Sequence, residues 1–461
     1  MTTHKLLAGA ILSLYFFPCA VHGQAPPTVQ FISLEEAEPV LSAMSGSLPA
    51  ELKTPATQDP ALWSAWVLKQ DRQIRERLDR GEEDTLTNLL RFGVTFTKEY
   101  RIDDEYLLKY GSSSLVNAFA ENRANDLIHA MASGTPNEGI EQMRLFLEKK
   151  GYSFKTPTAR NKIKLVLLAN LTRMRDEILR YQSQVQQGER FQIFEQRGIS
   201  LDTNLWPDFL IDQHLLNMSR KGLLKPGSVQ RVVIVGPGLD FANKEKGNDF
   251  YPPQTIQPFA VLDSLIRLGL AVPESIQIYT LDISPEVNLH IESSRKKAAA
   301  GHPYVVQLPW NTSARLTSEY REEFIKYWQN IGSTIGQPVS PISVPSGASA
   351  ETQTRAVKIR PTIVQKIVPL DANIVFQHLE LSPDKRFDLI IGTNIFVYFG
   401  VFEQAMARRN IGLMLRPGGF LLSNDKLSGT TADGLSNSLQ TKQTVARDPD
   451  RLEYMFTYQH R

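Results

Sequence analysis

The chain has 461 residues, room for two or three domains, and the composition of an ordinary globular protein. Its 51 Lys and Arg residues nearly balance 49 Asp and Glu, so no overall field would recruit nucleic acid or an anionic membrane face. Its single cysteine, Cys19, lies in the N-terminal segment; once that segment is removed, disulfides, Cys-ligated zinc and thiol catalysis are excluded.

MTTHKLLAGAILSLYFFPCAVHGQAPP opens the chain with one lysine, an apolar run from Leu6 to Phe17, and then small residues. That is the layout of a signal peptide over 1–23, with Val21 and Gly23 before a cut at Gln24. The alternative is an uncleaved anchor, since Leu6 to Gly23 reaches the lower limit for a membrane span. Lys5 would stay inside in either case, so both readings export the body of the protein to the periplasm or medium. Residues 24–55, rich in Pro, Ala, Ser and Thr, read as a linker with room for one short helix.

From 56 to 200 the pattern is helical. ALWSAWVLKQDRQIRERL, SLVNAFAENRANDLIHAMASG, GIEQMRLFLEKKG and NKIKLVLLANLTRMRDEILRYQSQV carry apolar residues at three- and four-residue spacing. From 201 to 461 strands alternate with helices. VVIVG, SIQIYTLDIS, NIVFQHLEL and FDLIIGTNIF read as strands, with QPFAVLDSLIRLGL and VFEQAMARRNIGLML as helices. SLQTKQTVARDPDRLEYMFTYQHR has no helix between its two strands. The expected fold is therefore α/β: a doubly wound, mostly parallel seven-stranded sheet ending in an antiparallel hairpin, behind an all-helical domain. Residues 302–360 read as an insertion, with a flexible Pro/Ser-rich loop near 335–355.

A doubly wound sheet binds ligands beyond the carboxyl ends of its strands, where strand order reverses. The candidate residues are those that close each strand. Gly236, Pro237 and Gly238 form a bend after the first, where backbone N–H groups can meet a ligand. Asp282 closes the second, placed to accept from a ribose diol. Glu380, four residues past Phe376, is a candidate acceptor for an exocyclic adenine amine, and Asn394 follows FDLII in mid-cleft. NDFYPPQTIQPF, just after the bend, is expected to overhang the mouth, with Tyr251 and Gln254 as substrate contacts or as packing against the helices.

VVIVGPG, YTLDIS, NIVFQHLEL, FDLIIGTNIFVYF and MLRPGGFLL together resemble the successive motifs of class I S-adenosylmethionine-dependent methyltransferases. The pattern is most similar to the chemotaxis-receptor glutamate methyltransferases, over roughly 205–461. The resemblance implies a Rossmann-like methyltransferase fold and S-adenosylmethionine as cofactor. It implies that Gly236 and Gly238 line the methionine and ribose, that Asp282 binds the ribose hydroxyls and that Ile283 packs on adenine. Glu380 would approach the adenine amine, with Asn394 and Tyr398 bordering the methyl-transfer site. The sequence departs from the family at Ile234, where an acid is usual, at Asp240, where a third glycine is usual, and at Thr393, where the chemotaxis enzymes carry arginine. Asp240 is the candidate replacement for the missing acid at the cofactor amino group.

Methyl transfer needs mainly positioning, and a base for weakly acidic nucleophiles. His290, His302 and His378 are the base candidates, each in a place where histidines are more often structural. Two readings of function follow: an S-adenosylmethionine-dependent methyltransferase with an unidentified acceptor, or an exported, non-catalytic binding module on the same fold. A nicotinamide dehydrogenase fits less well, because Asp282 comes more than forty residues after the glycines rather than about twenty.

Overall fold

The computed structural model describes residues 27–53, 59–186, 197–201, 203, 205–240, 249–311, 321–348, 352–429, 433–444 and 452–461. The expected signal segment lies outside them. The stretch read as a linker with room for one short helix carries secondary structure from Val29 on. It forms strand β1 (Val29–Phe31), helix α1 (Leu34–Ala43) and a short turn at Ala50–Leu52. Ser33 and Glu36 close a capping box at the start of α1, and Ala37, Val40 and Leu41 turn inward. Ser-x-x-Glu followed by this apolar spacing outweighs the loop-like composition of the segment.

Helix α2 (Pro60–Phe92) is capped by the Asp59 side chain and begins with proline at its first turn. It belongs to two cores. Trp63, Val67 and Ile74 near its start join the core under the main sheet, whereas Leu86, Leu89 and Leu90 near its end join the core of the helical part. That second core is completed by α3 (Asp104–Lys109), α4 (Ser114–Ser133), α5 (Glu138–Lys149) and α6 (Pro157–Gln186). One 33-residue helix therefore ties both parts together.

The main sheet follows. After helix α7 (Leu205–Arg220) come β2 (Arg231–Val235), α8 (Gln257–Arg267), β3 (Gln277–Asp282) and α9 (Pro285–Ala299). Next are β4 (Tyr304–Asn311), α10 (Glu322–Asn330), β5 (Gly336–Val339), β6 (Thr352–Ile359) and α11 (Pro361–Val364). The chain ends with β7 (Ile367–Asp371), β8 (Gln377–Leu379), β9 (Phe387–Gly392), α12 (Val401–Met414), β10 (Leu415–Ser423), β11 (Leu435–Thr444) and β12 (Leu452–His460).

Seven strands pair in the order β11-β12-β10-β9-β2-β3-β7. The five from β10 to β7 run parallel, and β12 is antiparallel to both of its neighbours. This is the doubly wound sheet with a terminal antiparallel hairpin that the sequence predicts. The order reverses at β2, which has β3 on one side and β9 on the other, and a crevice opens there.

Two expectations about strands are corrected. The sheet's outer parallel strand is β7, IVPLD, and not NIVFQHLEL. Pro369 is tolerated because β7 is the edge strand. NIVF instead makes a turn in which the Asn373 side chain accepts from the Val375 N–H, and QHL pairs only with β1. The segment around 335–355, read as a flexible loop, supplies β5 and β6, which join β4 in a separate antiparallel sheet.

Candidate active site

At the crevice, Val235 leads into Gly236 and Gly238, both at positive φ (62° and 61°), a backbone state that only glycine adopts without strain. Across from them, β9 ends at Gly392 and passes into Thr393 and Asn394; Asn394 is the one described non-glycine residue at positive φ (58°). Its backbone N–H donates to Asn424 Oδ1 (2.8 Å), and its Oδ1 accepts from Asn424 Nδ2 (2.6 Å), so the unusual conformation is braced.

Asp282 ends β3 at the floor of this cavity and is only 7% exposed. The Ser284 N–H donates to Oδ1 at 2.8 Å, and the Gly238 N–H points at the same carboxylate. Burial raises the carboxyl to about 7; the two N–H groups and Arg75 hold it down, while the nearby Asp371 adds to the rise. Ile283, Ile374 and Phe399 line the same cavity as apolar wall.

The opposite wall comes from the N-terminal part. Leu78 of α2 and the segment Ile199–Leu201 face the glycine bend. Leu239 N–H donates to the Leu201 carbonyl at 2.8 Å, and Thr203 N–H returns to the Leu239 carbonyl at 3.3 Å, stitching that segment onto the loop. Arg75 of α2 reaches Asp371 (2.7 Å), the Ile283 carbonyl (3.2 Å) and Gln377 (3.3 Å) while pairing with Asp71. Asp71 in turn accepts from the Nδ2 of Asn373, which lines the cavity. Arg77 donates to the backbone carbonyls of Tyr398 (2.9 Å) and Arg197 (3.1 Å). The helical part thus holds both rims of the site.

Of the sequence candidates, Gly236, Gly238, Asp282, Ile283, Asn394 and Tyr398 line one cavity. Pro237 lies within the bend without lining it. The others are elsewhere. Asp240 is buried, accepting from the Tyr251 hydroxyl (2.9 Å) and from Gln254 (3.2 Å). Gln254 also clamps Gln307 of β4 through both backbone groups, at 2.8 Å each. The aromatic segment therefore packs inward against the small sheet instead of overhanging the mouth, and neither Tyr251 nor Gln254 faces a substrate. Glu380 is exposed beside Arg231 and Tyr279, residues of the strands' amino-terminal half, so it is no adenine contact. That error follows from the misplaced strand.

Of the three candidate histidines, His302 is exposed and does not line the cavity, and the other two are held by structural contacts. His290 bonds the Tyr304 hydroxyl (2.8 Å) and burial lowers it to about 4, while His378 meets Glu36 (3.3 Å). Sequence reading missed Leu78, Ile199, Gln257 and Asn373, which line the cavity from remote parts of the chain. No local motif announces them. Among the described residues no cluster of three or more His, Cys, Asp or Glu is arranged to hold a metal ion.

An adenosyl group fits part of this geometry. Asp282 offers an acceptor for a ribose diol, and Ile283 and Ile374 offer apolar faces for a base, while the N–H groups of the bend are already given to Leu281, Asp282 and Leu201. The tail end is closed. The position a Cβ would take on Gly236 lies 2.1 Å from Ile395 Cδ1, so Ile395 occupies the space that the glycine leaves. The free cavity is ≈ 80 Å³, room for a few waters and less than a nucleoside fills.

No protein-family model matches the chain, and no curated protein matches it. Among solved structures it is similar to magnesium protoporphyrin IX methyltransferase from Synechocystis, at 8% identity over 55% of this chain and 80% of that one, with a TM-score of 0.27. It is also similar to the N-methyltransferase NodS from Bradyrhizobium japonicum, at 12% identity over 56% and 99%, with a TM-score of 0.25. A TehB-like SAM-dependent methyltransferase from Corynebacterium glutamicum aligns at 8% identity over 62% and 97%, with a TM-score of 0.26. At those scores the likeness adds nothing to what the strand order already establishes.

Proposed function

We propose that the chain binds S-adenosylmethionine in this cavity and transfers its methyl group to an acceptor. The observation that carries the reading is the buried Asp282 carboxyl, which lines a cavity at the switch point of the sheet beside the Gly236–Gly238 bend. Asp282 would take the ribose hydroxyls, and Ile283 and Ile374 the adenine faces. The cofactor supplies an electrophilic methyl on a sulfonium. The protein's share is to position it, exclude water and offer the acceptor a path past Asn394 and Tyr398.

A second reading, a non-catalytic binding module on the same fold, is favoured by Ile395 in the bend and by the leader-like segment at 1–23. We propose from that segment that the body of the protein is exported, and mass-spectrometric mapping of the mature N-terminus tests it. Calorimetric titration with S-adenosylmethionine and S-adenosylhomocysteine separates the two functions. Micromolar binding of either supports the methyltransferase; folded protein that binds neither up to millimolar concentration rules it out.

A further inference from the structure

A second cavity, ≈ 300 Å³, opens at the other end of the parallel strands, where Arg231 begins β2 and Phe387 begins β9. The adenosyl reading does not use it, and Glu380, the candidate that missed the adenosyl site, lines it. One wall is aromatic. Phe387 is 1% exposed and meets the Tyr279 ring of β3 nearly edge-on, with centroids 5.5 Å apart and planes at 69°. Leu381 continues the apolar surface. Crossed rings of this kind offer both a face and an edge to a third ring.

The polar groups around that wall carry both signs and stay apart. Arg231 donates from Nη1 to the Asp384 carbonyl, beside Lys385, so two cations meet at the turn Pro383–Lys385. The Asp384 carboxylate accepts from the Ser382 hydroxyl (2.7 Å) and closes no ion pair with Arg231. Glu380 is fixed by its backbone, whose N–H donates to the Thr28 carbonyl (2.9 Å), and its side chain is exposed. Among the described residues neither Arg231 nor Glu380 forms an ion pair, although both line this cavity. The Tyr279 hydroxyl adds a neutral donor: burial raises it, against the pull of Arg231, so it keeps its proton at neutral pH.

We infer that this cavity binds a free α-amino acid with an aromatic side chain, its carboxylate on Arg231, its ammonium on Glu380 and its ring against Phe387 and Tyr279. A guanidinium can meet a carboxylate through two parallel N–H bonds, and an ammonium brings three donors to a carboxylate that has none. An α-amino acid carries both charges on one carbon, so it is the smallest molecule that answers both sides. A plain anion would meet Glu380, and a plain amine would meet Arg231 and Lys385. The volume agrees. A cavity of about 150 Å³ holds benzene, and twice that leaves room for a ring with its charged head. The two cavities share no residue, so the inference stands whether or not the methyltransferase reading does.

The test is calorimetric titration of the purified protein with L-phenylalanine and three truncated probes. N-acetyl-L-phenylalanine lacks the ammonium, phenethylamine lacks the carboxylate and L-alanine lacks the ring. Phenylalanine should bind, and each probe at least ~10-fold more weakly, because each leaves one group of the site unanswered. Glu380→Gln, a change at an exposed side chain that keeps the fold, should weaken phenylalanine ~10-fold and leave N-acetyl-phenylalanine unaffected. S-adenosylhomocysteine should not displace phenylalanine. Folded protein that binds no phenylalanine up to millimolar concentration overturns the site. Equal affinity for phenylalanine and its N-acetyl form, or no effect of Glu380→Gln, overturns the zwitterion. Displacement by S-adenosylhomocysteine moves the ligand to the adenosyl cavity and overturns the assignment.

Discussion

Asp282→Asn separates what this residue does for the fold from what it does for a ligand. Its carboxyl ionises near 7 in the folded chain and near 3.8 unfolded, because burial disfavours the charge. The folded state therefore holds the extra proton between those values. Its contribution is fully present below about pH 4 and is lost as the pH rises to 7, leaving a penalty on the order of 4 kcal/mol above that. Asparagine removes the charge while keeping an acceptor for the Ser284 N–H. The variant should be more stable than the parent by ~2–4 kcal/mol at pH 8, the difference shrinking as the pH falls from about 7 and gone below about pH 4. It should also bind S-adenosylhomocysteine ~10- to 100-fold more weakly, because the ribose hydroxyls lose a charged acceptor. Urea unfolding at pH 4.5, 6, 7 and 8, paired with calorimetry, measures both effects. A stability difference independent of pH refutes the buried-charge account, and unchanged affinity refutes the ribose contact.

Ile395→Ala should open the bend: nucleoside affinity rises up to ~10-fold while stability falls by ~1–2 kcal/mol, since the side chain is half-buried. Lower affinity on titration would show that Ile395 supports the ligand rather than excluding it. Arg75→Met removes the tie from α2 to the Ile283 carbonyl and Asp371, and should weaken nucleoside binding by ~1–2 kcal/mol. Equal affinity in calorimetry would confine Arg75 to joining the two parts of the chain. Tyr251→Phe should cost ~1 kcal/mol in urea unfolding by freeing Asp240, without altering nucleoside affinity. Glu380→Gln should change neither quantity; a loss of binding there would place the adenine at the other end of the strands.

Elements whose signal is local were legible in the sequence. The parallel strands β2, β3 and β9 are short, largely apolar runs, and each brings a cavity residue at its end or within two residues of it: Gly236, Asp282 and Asn394. A strand's end and its next residue are separated by one peptide bond, so naming the strand names the rim. Where the strand was misread, the site residue was lost with it. Pro369 hid β7, NIVFQHLEL was taken in its place, and the candidate slid from Asn373 to Glu380, from the cavity to an exposed position beyond it.

Composition misled in a different way. Pro, Ala, Ser and Thr made 24–55 read as a linker with one short helix, and Pro and Ser made 335–355 read as a loop, yet each also holds a strand whose partner is distant in the chain: β1 with β8, and β6 with β4. Pairing energy of that kind resides in the partner and leaves no mark on the segment itself.

By itself the sequence determined the alternation of strand and helix, the closing hairpin and the bend with its acid. All of these depend on periodicity and on residues adjacent in the chain. Only the tertiary structure decided which groups are free to meet a ligand. Asp240 and Asp282 are indistinguishable as letters, but one is turned to Tyr251 and Gln254 and the other lines the cavity. The same holds for the wall that α2 and Ile199 supply and for Ile395 in the bend. Solvation and hydrogen-bond satisfaction are set by neighbours brought together across the fold, and a linear reading has no access to them.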